Sequence, residues 1–383
     1  ATTEIYTLSL HDALPICVFC SSDGIEWFQA AAATSLEKGM IRRACAVFAN
    51  RLWLTGGYSA DGELSAKVWS SLPASVQPES FGRKWVKISS DSLPGKRHNQ
   101  AATVFNGYIW MCGGYNESLV FYPDVWRSAD GFTWEKMHSN FLSQAGHTML
   151  TFKGNIWTIA GNGTSDFFAN VWRSADGATW VHQEEYAAFG GRAWHGSVVF
   201  DGKMWVIGGC NRENNKYNYK NDVWCSSDGS SWSQVNASAG FEPRAAFSIC
   251  VHDSKIWIIG GINNNGAYGD SCKGDIWCSS DGVNWRRVLQ AAPFGLRAYA
   301  SLVSHGGKMW LAGGQDNSFV KNDVWCSSDG ENWELASSGL NTDQYGRASH
   351  SAVVFNNKMF LMFGRDSLNS KTFTDYKTIV YSR

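Results

Sequence analysis

The chain has 383 residues, 44% of them apolar and 17% charged, with a formal net charge of −1. This excludes a disordered polymer and leaves ample material for a large core. Thirty-three Lys and Arg against 34 Asp and Glu give no global basic field for nucleic acid, so any charge-based binding must be local.

No apolar run approaches the roughly 18 residues of a membrane-spanning helix, and the mean hydropathy is −0.26. The unusual counts are 20 Trp, 39 Gly and 7 Pro, which predict many short strands and tight turns rather than helices.

In chain order, residues 1–16 (ATTEIYTLSLHDALPI) share no pattern with the rest. They match the translation, in one frame, of a sequencing-library adapter, and are expected to be a non-native artefact set aside from fold reasoning. On that reading the gene product begins at Cys17, already inside a repeat.

From there one apolar segment recurs seven times: LWLTGGY (52–58), IWMCGGY (109–115), IWTIAGN (156–162), MWVIGGC (204–210), IWIIGGI (256–262), MWLAGGQ (309–315) and MFLMFGR (359–365). The spacing is near 50, in the range of propeller blades. Each copy supplies four pieces. Strand a is an apolar run such as HSAVVF (350–355), and strand b is the run ending in the glycine pair. Strand c resembles NDVWCSS (322–328), and strand d opens at the Trp that closes SSDGENW (327–333).

Between c and d, the Asp-Gly step supplies the positive φ of a tight hairpin, while Ser and Asp side chains can bond nearby amides. The turn recurs at 21–27, 128–134, 174–180, 226–232, 279–285 and 327–333. Strands b, c and d absorb every Trp except Trp194, and aromatics at fixed blade positions predict packing between blades.

These features resemble the kelch repeat: an apolar strand, a paired Gly, an aromatic strand after Asn-Asp, and a Trp in the fourth strand. The resemblance runs from Cys17 to Arg383. It implies an all-β fold, one seven-bladed β-propeller of four-stranded antiparallel blades over 17–383. Residues 18–27 (VFCSSDGIEW) are then expected to supply the outer strand of the last blade, after TIVYSR (378–383), with one third strand left over.

The SxDGxxW turns also resemble the sialidase Asp-box, but are one residue short, and the sialidase catalytic set has no counterpart. Galactose oxidase is also a kelch propeller, yet its copper constellation is unmatched. No catalytic residue, metal site or cofactor is assigned. A sialic acid mutarotase is the most plausible enzyme relative.

If strand a enters at one face, the b–c loops and d–a connections share that face. Eight residues back from the end of each strand a stand Met40, Arg97, Gln144, Arg192, Arg244, Arg297 and Arg347. Three positions later come Arg43, Gln100, His147, His195, Phe247, Ala300 and His350. A circle of guanidiniums at a channel mouth suits an acidic ligand, because the planar fork of Arg pairs with carboxylate. The alternative is that each Arg bonds carbonyls or an Asp of the fold.

The expected ligand-binding set is Arg43, Arg97, Arg192, Arg244, Arg297, Arg347, His147, His195, His350 and Trp194. The b–c loops add Phe121, Tyr122, Phe167, Phe168, Tyr217, Tyr219, Tyr268, Phe319 and Phe373. Cys20, Cys225, Cys278 and Cys326 repeat at one strand-c position, too far apart in neighbouring blades for bridging. Only Cys210 and Cys272 are an imaginable pair.

Such thiols favour a reducing, cytoplasmic compartment. Against this stand sequons at Asn116, Asn162 and Asn236, which are common by chance in an Asn- and Ser-rich chain; with the native N-terminus expected to be missing, a secreted or surface protein is the alternative and the compartment stays open. The reading is a non-enzymatic propeller binding an acidic or polar protein partner on the Arg-bearing face. The alternative is a carbohydrate-active propeller, mutarotase-like or glycan-binding, whose histidines give a pH dependence near 6 to 7, roughly the reference range of His.

Overall fold

The computed structural model describes residues 93–263, 271–340 and 346–365, together with the backbone of the strands outside those ranges. It divides into two compact units, Ala1–Pro78 and Glu79–Arg383. In the first, Val18–Cys20 pairs with Phe28–Ala31, and Ala44–Phe48, Arg51–Thr55 and Val68–Ser70 form a three-stranded sheet.

The second unit is built from antiparallel sheets in the order a, b, c, d. The first blade is Ala101–Phe105, Tyr108–Cys112, Val125–Ser128 and Glu135–Met137. The second is Thr148–Phe152, Asn155–Asn162, Phe167–Ser174 and Val181–Glu184. The third is Gly196–Phe200, Lys203–Glu213, Lys216–Ser226 and Ser233–Asn236. The fourth is Ser248–His252, Lys255–Ile259, Ile276–Ser279 and Arg286–Leu289, and the fifth Ser301–His305, Lys308–Ala312, Val324–Ser327 and Glu334–Ser337.

These five blades each use consecutive repeat pieces. A sixth sheet joins Ser351–Phe355, Lys358–Met362 and Thr378–Ser382 to Trp85–Ser89. Its outer strand is therefore 85–89, where the sequence reading placed 18–27.

The expectation of seven blades is corrected by the hub. Each strand a packs on the next, and the strand a of Ser351–Phe355 packs on that of Ala101–Phe105. One residue just ahead of each strand a lies in the left-handed region: Asn99, Gly146, Trp194, Ala246, Tyr299 and Ser349, with φ between 51° and 60°. Each donates its N–H to the carbonyl of the preceding one. Asn99 to Ser349 is 3.0 Å, Gly146 to Asn99 2.9 Å, Trp194 to Gly146 2.8 Å, Ala246 to Trp194 2.8 Å, Tyr299 to Ala246 2.8 Å and Ser349 to Tyr299 3.0 Å.

Six bonds close this circle, so among the described residues no seventh strand a enters it. The copy at 44–70 folds within the first unit instead. Left-handed backbone costs a non-glycine residue about 1–3 kcal/mol; here it turns each N–H and C=O into the ring.

The Ser-Asp-Gly turns fold as their sequence predicts. Asp228 Oδ1 accepts the N–H groups of Ser230 and Ser231 at 2.9 and 2.8 Å, while Ser226 Oγ accepts that of Gly229 at 2.8 Å. The Ser231 and Ser230 amides hold the Asp228 carboxyl below its usual range.

The turn glycine also leaves room for the neighbouring blade. A Cβ on Gly177, Gly229, Gly282 or Gly330 would lie within 2.3 Å of the strand-b ring of Trp110, Trp157, Trp205 or Trp257 in the blade before. Gly131 stands the same way against Phe360 of the sixth blade. The Trp ladder is therefore packing between blades, as its fixed position implied.

Candidate functional site

The arginines form a buried layer. Arg244 donates Nη1 to Asp275 Oδ1 at 2.6 Å and to the Gly260 carbonyl at 2.8 Å. Its Nη2 donates to Asp275 Oδ2 at 2.9 Å and its Nε to the Glu242 carbonyl at 3.0 Å. Trp277 Nε1 donates to the same carboxylate at 2.7 Å.

Equivalent ion pairs join Arg97 to Asp124, Arg192 to Asp222 and Arg297 to Asp323, and all four arginine side chains are 0% exposed. Burial would raise these carboxyls, but the guanidinium bonds and charge outweigh it and hold them below the usual range. In the second blade, Gln144 and Asn170 occupy the places of the Arg and the Asp. Arg347 is buried and donates to the Phe363 carbonyl, the counterpart of the glycine carbonyls.

The expected circle of ligand-facing guanidiniums is thus corrected for Arg97, Arg192, Arg244 and Arg297. Their forks are committed to carboxylates and carbonyls of their own blades. Arg43 lies outside the described residues.

The next layer lines an axial cavity of about 130 Å³. Its walls pair each left-handed residue with its successor, in six steps from Asn99 and Gln100 round to Ser349 and His350. His147, His195 and His350 are all there, 5%, 5% and 7% exposed. Burial pushes His147 down to about 3. Burial, then the Arg347 charge, takes His350 to about 3. Burial, Arg192 and His147 set His195 well below its ordinary value.

All three imidazoles are therefore neutral at pH 7, and the titration expected near pH 6 to 7 is corrected. Thr148 donates its hydroxyl to Ser197 at 2.9 Å, so at 3.1 Å it accepts from His195 Nε2–H. That leaves His195 Nδ1 as a bare acceptor. It has no hydrogen-bond partner among the described residues, nor do Gln100 Oε1 or His147 Nδ1.

Above the cavity, Trp194 lies 6.1 Å from Phe167 and 6.2 Å from Tyr217, both edge-on, and donates Nε1 to Asn99 Oδ1 at 3.2 Å. Arg365 lies 5.4 Å over the Tyr299 ring and donates to Gln315. Beyond this rim, exposed apolar side chains stand among polar loop residues. Of ten exposed large hydrophobics among the described residues, Leu119, Val120, Leu142, Tyr186, Leu296 and Phe319 lie in b–c loops or d–a connections, and Tyr217 lies at the start of the third blade's strand c, beside its b–c turn.

A family model described as the KLHDC2/KLHL20/DRC7 Kelch-repeats domain matches residues 194–379. A solved structure, titled "Structure of YjhT", superposes with a TM-score of 0.59 at 15% identity, covering 76% of this chain and 95% of that one. Residues 194–379 are kelch repeats, and the unit that holds them folds as a β-propeller. No curated protein matches it.

The propeller brings His147, His195 and His350 to one cavity, with Trp194, which stood in neither aligned column, beside them. It also uses residues the sequence reading passed over: Asn99, Tyr299 and Ser349 at the left-handed positions, and Arg365 after the last glycine. The column between Arg and His carried that signal, but side chains so unlike one another gave no pattern.

Among the loop aromatics, Tyr122 lies under Arg97 at 4.2 Å and anchors its loop, whereas Phe319 is 69% exposed. Tyr268 and Phe373 lie outside the described residues. None of the seven described cysteines is in a disulfide, Cys210 and Cys272 included. Among the described residues, no group of three or more His, Cys, Asp and Glu is arranged for a metal, and no helix is long and apolar enough to cross a membrane.

Proposed function

We propose that this kelch propeller is a non-enzymatic binding module that captures an acidic or polar segment of a protein partner on the face of the b–c loops. The observation that carries the reading is the placement of seven of ten exposed large hydrophobics on that face. Exposed apolar side chains concentrated on one face mark a partner surface. Arg365 over Tyr299 supplies a cation at the rim, and the neutral imidazoles and Gln100 Oε1 supply acceptors deeper in. The buried Arg–Asp layer holds the scaffold and does not touch the partner.

A saccharide ligand is the second reading, favoured by the indole of Trp194 flanked by Phe167 and Tyr217. A combined peptide and glycan array separates the two. The protein-binding reading expects peptide hits weakened at least tenfold by Phe319→Asp and Arg365→Gln, with Arg244→Gln/Asp275→Asn unaffected. Glycan hits abolished by Trp194→Ala alone would replace it with the saccharide reading, and peptide hits indifferent to both rim variants would refute the face.

A further inference from the structure

The contact between the first and second blades differs from the other five in its donor atoms. The strand-b position just ahead of the glycine pair is Cys112 in the first blade, and Ile159, Ile207, Ile259, Ala312 and Met362 in the rest. Only Cys112 places a thiol there. Its Sγ lies 3.2 Å from His147 Nε2 and 4.0 Å from Met149 Sδ. His147 and Met149 are two apart along the chain, at the entry to the second blade's strand a, and so point the same way. The three side chains are 0%, 5% and 8% exposed.

We propose that Cys112, His147 and Met149 form a closed site for one copper(I) ion. Thiolate, thioether and imidazole together are a soft donor set that selects copper(I) over harder ions. With metal–nitrogen and metal–sulfur bonds of about 2.0 and 2.3 Å, the two separations correspond to angles of roughly 95° and 120° at the metal. Charge points to the same ion. One thiolate and two neutral donors around a monovalent cation make a neutral complex, whereas a divalent ion would leave a buried net charge at high cost.

On binding, copper(I) gains bonds to Sγ, Nε2 and Sδ. The Cys112 thiol loses its proton to solvent, and nothing is oxidised or reduced. His147 also lines the axial cavity, which provides the entry path. Its Nδ1 is buried and has no protein partner among the described residues. The trio was invisible in the sequence because Met is rarely read as a ligand and Cys112 lies a blade away from the other two.

The test titrates the full-length reduced chain anaerobically with copper(I) against bicinchoninate, with X-ray absorption on the loaded protein. The expected result is one equivalent retained on two sulfurs and one nitrogen, lost in Cys112→Ser and weakened at least tenfold in Met149→Leu. The second substitution conserves volume and so keeps the fold. Failure to hold one equivalent, retention unchanged in both variants, or a spectrum without nitrogen would each overturn the site.

Discussion

Replacing Arg244 by Gln tests whether the arginine layer is scaffold. The substitution removes four hydrogen bonds, two of them to Asp275 at 2.6 and 2.9 Å, and leaves a carboxylate only 16% exposed with its cation gone. Breaking a buried pair on one side costs about 3–5 kcal/mol, which corresponds to a fall in Tm of roughly 5–10 °C for a unit of this size. In the second blade the uncharged Gln144 and Asn170 stand at these places, but Gln144 Nε2 and Asn170 Oδ1 have no hydrogen-bond partner among the described residues. The double variant Arg244→Gln/Asp275→Asn removes the orphaned charge without restoring the bonds, and is expected to recover part of the loss, about 1–2 kcal/mol of it, as coupled neighbours do. Urea denaturation of the parent, both single variants and the double variant completes the cycle. Single-variant losses below 1 kcal/mol, or a double variant equal to the sum of the singles (about 1 kcal/mol is the ordinary effect of any substitution), would refute the reasoning and return Arg244 to the list of ligand-facing residues.

Three further outcomes follow from the same geometry. Gly282→Ala, at φ 76° with Trp205 Cζ3 2.2 Å from the new Cβ, should destabilise far more than Gly306→Ala, where φ is 59° and nothing lies within 4 Å. The latter carries only the left-handed penalty of about 1–2 kcal/mol, and parallel thermal melts compare them. His350 is held at about 3 against 6.5 in the unfolded chain. Its contribution is whole above pH 6.5 and is lost as pH falls toward 3, by up to about 1.4 kcal/mol per unit. His350→Phe, the residue type found at the equivalent Phe247, should flatten that slope in denaturation curves at pH 7, 5.5 and 4.5 (roughly spanning the range where His titrates); an unchanged slope would show the imidazole is not held neutral. Asp228→Ala should lower stability by about 0.5–1.5 kcal/mol, because the Ser230 and Ser231 amides exchange their carboxylate acceptor for water, whereas Asp228→Asn should cost less; equal melts for both would argue that the turn does not depend on that oxygen.

The turns, the strands and the blade-to-blade Trp packing were legible because each is written locally and repeated. A Ser, Asp and Gly within four residues determine their own hydrogen bonds, and a Trp in the same place of every copy must meet the next copy. The arginine column was equally visible, but its partners were not. Asp275 is 31 residues from Arg244, and only the fold shows that the Asp ahead of each strand-c Trp reaches back to it. The exchange of Arg and Asp for Gln144 and Asn170 in one blade was present in the sequence as the clue that the two positions belong together.

By itself the sequence determined the repeat, the four-stranded antiparallel blade and the face on which b–c loops and d–a connections meet. Period and turn chemistry act over a few residues and do not depend on what lies across the axis. Only the tertiary structure decided how many copies enter the ring and which polar groups a ligand can reach. Seven copies are written, yet six backbone amides close the hub, because closure depends on the angle between packed blades and on hydrogen bonds between residues about 50 apart along the chain or, at the seam between Ser349 and Asn99, far more. The same distant contacts seal the guanidiniums and leave the histidines, Trp194 and the apolar loop tips around the cavity.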